Sequence, residues 1–173
     1  MKKQLMAQAE KGSNIMNKID INQTAPTIKR SKAFDIFFYV VQWTWGLSVN
    51  IVGGIAYLIC TKVLGYKHQK FGYANIVYMP WNQGGLSMGT FIFIREENEK
   101  KEWLYNCRIH EYGHTWQCLL LGPLYYPVVA IPSAVWCNCF AKYREKNNVS
   151  YYKLYCESWA NSWGEKFSKM KRV

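Results

Sequence analysis

Histidine is nearly absent from this 173-residue chain: His68, His110 and His114 are all it has. That scarcity excludes di-iron enzymes of the histidine-box kind, which need many more imidazoles. Acidic residues are also few, 11 against 22 Lys and Arg, leaving a net charge of +11. The six cysteines, Cys60, Cys107, Cys118, Cys137, Cys139 and Cys156, form no C-x-x-C pair. A paired zinc ribbon is thereby excluded, and buried free thiols are expected. No recognisable nucleic-acid module or basic helical stripe accompanies the positive charge, so nucleic acid is not an expected partner. There is no internal repeat, no low-complexity segment and no secretory signal with a cleavage site.

Charge itself is missing from two long stretches. Ile36 to Thr61 is 26 residues without a charged side chain, and Cys118 to Ala141 is 24. The first exceeds the ~20 residues that cross a bilayer core. Lys29, Arg30 and Lys32 precede it; Lys62, Lys67 and Lys70 follow. The expectation is a transmembrane helix within 33–66, preferred to a buried core helix, with Gln42, Asn50 and Gly53-Gly54 marking a face packed on other protein. The second stretch holds Pro123, Pro127 and Pro132. Prolines so spaced predict a broken helix, a re-entrant dip or a tight helical hairpin.

What is present is a chain half hydrophobic and 17% aromatic, enough for one compact domain. Residues 1–32 form a basic lead expected to be mobile, and 169–173 a basic tail. Basic ends around apolar segments suit a membrane lipid partner and place the N-terminus in the cytoplasm. The basic C-terminal end also prefers the cytoplasm, so charge alone does not fix the side on which the intervening residues lie. Phe71–Met79 and Leu86–Ile94 are rich in aromatic and β-branched residues, predicting a small hairpin or part of a sheet. Trp103–Leu121 reads as a helix ended by Gly122-Pro123, and 150–168 as a final helix.

Within the 103–121 helix lies His110-Glu111-Tyr112-Gly113-His114. Positions i and i+4 share a helix face, so both imidazoles can bind one ion, with Glu111 placed to act on an activated water. H-E-x-x-H is the zinc-binding and catalytic signature of a large class of metallopeptidases. Catalytic zinc usually takes three protein ligands. Gln117 and Leu120 occupy the places where a metzincin has its later glycine and third histidine, so that arrangement is absent. His68 precedes the motif, beside the expected membrane boundary. Cys107 and Cys118 share the stripe of the two histidines, but roughly 16 Å apart, so they cannot both join one ion.

Cys156-Glu157-Ser158-Trp159-Ala160-Asn161 resembles the E-x-x-A-[D/N] helix of gluzincin metallopeptidases. The resemblance implies Glu157 as third zinc ligand and Ala160 as the small residue under the site. Asn161 would be the support for His110 or His114, in the place where the class often has Asp. A competing reading pairs Glu157 with Lys153 one turn earlier. The run His110–Thr115 with Gln117, Gly122-Pro-Leu-Tyr125 and Pro132-Ser133 is also similar to small bacterial membrane proteins carrying an HEYGHT motif, over about residues 84–164. That likeness implies membrane association, in a bacterial inner membrane, and peptidase activity.

Together these expectations describe an α-rich membrane protein (α+β). A zincin-like domain over 67–168 would bind Zn2+ through His110, His114 and Glu157, with Glu111 as general base and Asn161 in support. The expected function is a membrane-associated zinc metallopeptidase acting on a peptide or protein substrate. Leu86–Ile94 would serve as the edge strand, and Tyr151, Tyr152 and Tyr155 are oxyanion-donor candidates by location. The alternative is a non-catalytic membrane scaffold, immunity or sensing protein with a structural metal site. Either way, if Glu157 is to meet the histidines, 118–141 must double back or be a buried soluble core, not a single straight span.

Overall fold

The structure, a computed structural model, describes residues 30–80, 84–96 and 101–173. The lead expected to be mobile over 1–32 therefore lies almost wholly outside the described residues. So do the centre of the turn after Pro80 and most of the charged connector after Glu96. The architecture is helix-rich around a small mixed sheet of four strands.

The first uncharged stretch does not form one straight helix. It forms α1 (Lys32–Thr44) and α2 (Leu47–Leu58), which continues through a π turn over Ile59–Val63. The two legs meet at 89°. Among the described residues no single helix is long and apolar enough to cross a membrane; this bent pair passes by length and composition only. The polar residues of the run explain the bend. The Asn50 amide donates to the Gln42 and Gly46 carbonyls, both at 3.0 Å, and to Gln42 Oε1 at 2.8 Å. Gln42 Nε2 donates to the Thr115 carbonyl at 3.0 Å. Carbonyls freed at the break are thus satisfied inside the protein, which a straight helix would do without these side chains.

Of the two expected arrangements, a single hairpin or part of a small sheet, the structure has the second. Two hairpins form: β1 (His68–Phe71) with β2 (Ala74–Met79), and β3 (Gly85–Met88) with β4 (Phe91–Arg95). The order is β1-β2-β4-β3, and β2 runs parallel to β4. Phe71–Met79 and Leu86–Ile94 therefore do not face each other as one antiparallel pair. Only β3 of the second run lies on an edge; β4 is interior.

Alternation along the strands separates two apolar faces. Ala74, Ile76, Ile92 and Ile94 pack on Leu104, Cys107, Ile109 and Tyr112 of α3 (Lys101–Leu121). Val77, Phe91 and Phe93 pack on Cys60, Ala56 and Tyr57 of the α2 leg. The sheet is sandwiched, and α3 is sealed on its far side by the last helix, α6 (Tyr155–Ser168). Four of the cysteines are buried, whereas Cys137 and Cys139 are exposed, so the expectation of six buried thiols fails at these two.

Each proline of the second uncharged stretch stands at the start of a separate short helical piece. Pro123 opens a 3-10 turn over Gly122–Leu124, Pro127 a π turn over Tyr126–Ala130, and Pro132 helix α4 (Ile131–Asn138). A short α5 (Ala141–Lys146) follows. Proline's missing N–H is harmless in a first turn and disruptive further in, so the chain breaks at each one. Gly122, at φ +54°, makes the first change of direction, with the Trp45 indole 2.5 Å from where a Cβ would stand. The segment reverses direction, and Trp136 Nε1 donates to the Tyr151 carbonyl at 2.9 Å, docking it beside the approach to α6.

Candidate metal centre

Two helices build the site, and glycines set how closely they approach. A Cβ on Gly113 would lie 2.6 Å from the Ala160 carbonyl carbon, and one on Gly164 would lie 2.8 Å from that of Ile109. Gly113 and Ile109 are one turn apart on α3; Ala160 and Gly164 are one turn apart on α6. The helices therefore run antiparallel with backbone almost against backbone. This contact brings Glu157 and Asn161 over the motif histidines.

His110, His114 and Glu157 are all buried, and their ligand atoms lie within 4.8 Å of one another. Glu157 Oε2 is 2.9 Å from His110 Nε2 and 3.6 Å from His114 Nε2. Ligands about 2.0–2.1 Å from a tetrahedral ion stand roughly 3.4 Å apart, and the two carboxylate–imidazole distances lie on either side of that value.

The tautomers follow from the hydrogen bonds. Gln117 Nε2 donates to the Cys156 carbonyl at 2.8 Å, which fixes its Oε1 toward His114. His114 Nδ1 must then be the donor to Gln117 Oε1, at 2.6 Å. His110 Nδ1 donates likewise to Asn161 Oδ1 at 2.7 Å. In the neutral imidazoles both Nε2 atoms carry lone pairs turned toward Glu157. Glu157 Oε2 is fully buried, and with both Nε2 atoms unprotonated it has no hydrogen-bond donor. Two imidazole lone pairs and a carboxylate oxygen converging in a buried space call for a cation among them. The donor set of two nitrogens and one carboxylate oxygen suits zinc.

Without the ion, a proton shared with Glu157 would take its place. Burial alone would raise the Glu157 pKa, but hydrogen bonds and positive charge from His110 and His114 hold it well below the usual carboxylate range. Burial works against a charged His114, yet Glu157 and Glu111 outweigh it and raise its pKa. Glu111 is buried without so close a partner. Burial lifts its pKa, against a lowering pull from both histidines. It lies under the edge strand: a Cβ on Gly85 would sit 2.7 Å from Glu111 Cδ.

The expected residues sort clearly. Asn161 serves His110, and Ala160 lies under the site, fully buried. His68 is exposed on β1, its ring edge-on to Tyr57 and away from the centre. Lys153 is exposed, and Glu157 faces the histidines instead. Neither Cys107 nor Cys118 joins the ligand group. Of the three tyrosines, Tyr155 donates to the Val128 carbonyl on the exposed side. Tyr152 packs its ring on His110, 5.2 Å between centroids. Tyr151 pairs its hydroxyl with Ser133 Oγ at 3.0 Å and feels the charge of both Glu157 and Glu111.

Three residues escaped sequence reasoning. Gln117 was visible as the wrong residue for a metzincin and as part of the membrane-protein likeness, but not as a partner of His114, although i+3 from His114 puts it on the same helix face. Gly85 gives no sign in one dimension that it will meet Glu111. Tyr125 donates its hydroxyl to the Ser87 carbonyl at 3.1 Å, on the side of β3 facing away from β4. Comparison with known proteins finds no family model, no curated protein and no solved structure that matches the chain.

Proposed function

We propose that this protein is a membrane-associated zinc metallopeptidase of gluzincin-like design, acting on peptide or protein substrates at a bacterial inner membrane. The observation that carries the reading is the convergence of His110 Nε2, His114 Nε2 and Glu157 Oε2, each imidazole tied at its far nitrogen, with Glu111 beside them. Zinc held by these three residues would supply Lewis acidity and lower the pKa of a water toward neutral.

The protein's own groups do the rest. Glu111 takes a proton from the attacking water and returns it to the leaving amine. Burial keeps its pKa above that of an exposed glutamate, nearer to the range where it can do both. Tyr151 is the tyrosine best placed to donate to the developing oxyanion. An extended peptide pairs with the free edge of β3, where Gly85 has the same outward main-chain direction as Ser87 two residues later. Tyr125 occupies the Ser87 carbonyl and so ends that edge.

A second reading has its own support: His110, Glu111 and His114 are each only 5% exposed and Glu157 is 0% exposed, as in a structural metal site. It describes a non-catalytic membrane scaffold, immunity or sensing protein. Glu111→Gln separates the two. A peptidase keeps about one zinc per chain and loses hydrolysis of a mixed fluorogenic peptide pool by on the order of 10²–10⁴-fold. Zinc binding with no hydrolysis in wild type selects the structural reading. Hydrolysis undiminished by Glu111→Gln removes Glu111 from the mechanism.

A further inference from the structure

The bent α1–α2 pair carries an apolar surface that the metal centre does not explain. Ile36, Phe37 and Val40 on α1, and Ile51, Ile55 and Leu58 on α2, are 44–65% exposed. Between Ile36 and Thr61 the exposed polar residues are Thr44 and Ser48, and the Thr44 hydroxyl is bonded back to the Val40 carbonyl. The outward faces of the two legs meet: Trp43, Ile51, Ile55 and Leu58 line one open groove of about 410 Å³, floored by Phe91. Exposed Lys32 stands before this surface, and exposed Lys62 and Lys70 after it.

The elbow is locked. Straightening it would break the Asn50 bonds to Gln42 and Gly46, the Thr90 N–H and hydroxyl bonds to Asn50 Oδ1 at 2.9 Å, and the Gln42 bond to Thr115. Gly53 packs against Met88, where a Cβ would lie 2.9 Å from the Met88 Cβ. Each leg is also short. Thirteen residues of α1 and the 17 from Leu47 to Val63 reach about 20 and 25 Å, less than the ~30 Å hydrocarbon core.

We infer that the α1–α2 elbow is a monotopic anchor, embedded in one leaflet of an anionic bilayer without crossing it. The groove takes a lipid acyl chain, and Lys32, Lys62 and Lys70 meet the headgroups. The inference deepens the membrane part of the proposed function and uses neither zinc nor turnover, so either can fail without the other.

The test adds full-length protein, in a Cys137→Ser/Cys139→Ser background, to preformed vesicles of phosphatidylcholine and phosphatidylglycerol. Single Lys32→Cys and Lys62→Cys variants are then labelled with a membrane-impermeant maleimide. The expected result is co-flotation with vesicles and equal labelling at both positions from outside. Ile51→Asp/Ile55→Asp should reduce flotation at least tenfold with zinc content unchanged. Should that variant misfold, quenching of wild-type tryptophan by brominated acyl chains, lessened by Trp43→Phe, reads the same contact. Labelling at only one position would make the pair a membrane span and overturn the inference. Failure to float, or a detergent-free dimer that covers the face and ignores vesicles, would overturn it too.

Discussion

Replacing Gly113 by alanine tests the helix contact on which the whole centre depends. The new methyl would fall 2.6 Å from the Ala160 carbonyl carbon and 2.9 Å from its Cα. Carbon atoms rest about 3.5–4.0 Å apart, so α6 must retreat by roughly 1 Å. No flexible side chain can absorb the clash, because the obstacle is backbone. Overpacking of this kind costs about 1–3 kcal/mol or more, and for a chain this long each kcal/mol lowers Tm by roughly 2–4 °C. The larger effect falls on the metal. Glu157 and Asn161 ride on α6, and ligand distances tolerate only about ±0.2 Å. Loss of a single supporting partner weakens metal about 10–100-fold, so displacing a ligand and a support together should cost on the order of 100-fold or more. The assay is zinc affinity by chelator competition, with metal-free Tm measured in parallel. Gly84→Ala, whose Cβ would find only Trp103 at 3.7 Å, is the control expected to change nothing. If Gly113→Ala binds zinc like wild type and melts at the same temperature, the close antiparallel packing of α3 and α6 is wrong.

Other consequences are open to measurement. Gln117→Leu strands the His114 Nδ1–H, and should weaken zinc roughly 10–100-fold while the metal-free fold persists; unchanged affinity would deny Gln117 its orienting role. The pKa shifts give the metal-free protein an uncommon pH profile. Glu157 has a folded pKa below its ordinary 4.5, so its stabilisation is present above that value and lost as pH falls through the folded pKa. His114 has a folded pKa above its ordinary 6.5, so its stabilisation is full below 6.5 and lost as pH rises through the folded value. Metal-free Tm should therefore fall as pH rises above the ordinary 6.5 of His114, whereas zinc-loaded protein, with the ion in place of the proton, should not show this loss. A metal-free Tm that rises over that range would contradict the ion pair. Because zinc must displace the His114 proton, binding near neutral pH should release protons, seen as a buffer-dependent binding enthalpy in calorimetry.

Much of the centre was legible because its chemistry is local. His110 and His114 share a face by helical periodicity, and Glu157 and Asn161 share another by the same rule. The resemblance to a gluzincin helix joined the two pairs. The partition of the imidazoles was not legible: Asn161 serves His110 and Gln117 serves His114, a division that depends on the α3–α6 register. In the sheet, the strand-forming runs were visible, but their pairing was not. Side-chain alternation says which face a residue prefers and nothing about which strand lies beside it, so the parallel pairing of β2 with β4 came only with the fold.

The same division runs through the apolar segments. Sequence by itself determined where charge is absent, where proline must interrupt a helix, and which residues can ligate a metal, since these follow from composition and covalent geometry. Only the tertiary structure decided that the first apolar run bends through 89°, because the groups that hold the bend, Thr90 and Thr115, are distant in the chain. Tertiary packing also decided which histidine nitrogens are free. That depends on the Cys156 carbonyl orienting Gln117, a contact across 39 residues. Long-range hydrogen bonds and backbone contacts between glycine-lined helices are properties of the assembled fold, and no local pattern encodes them.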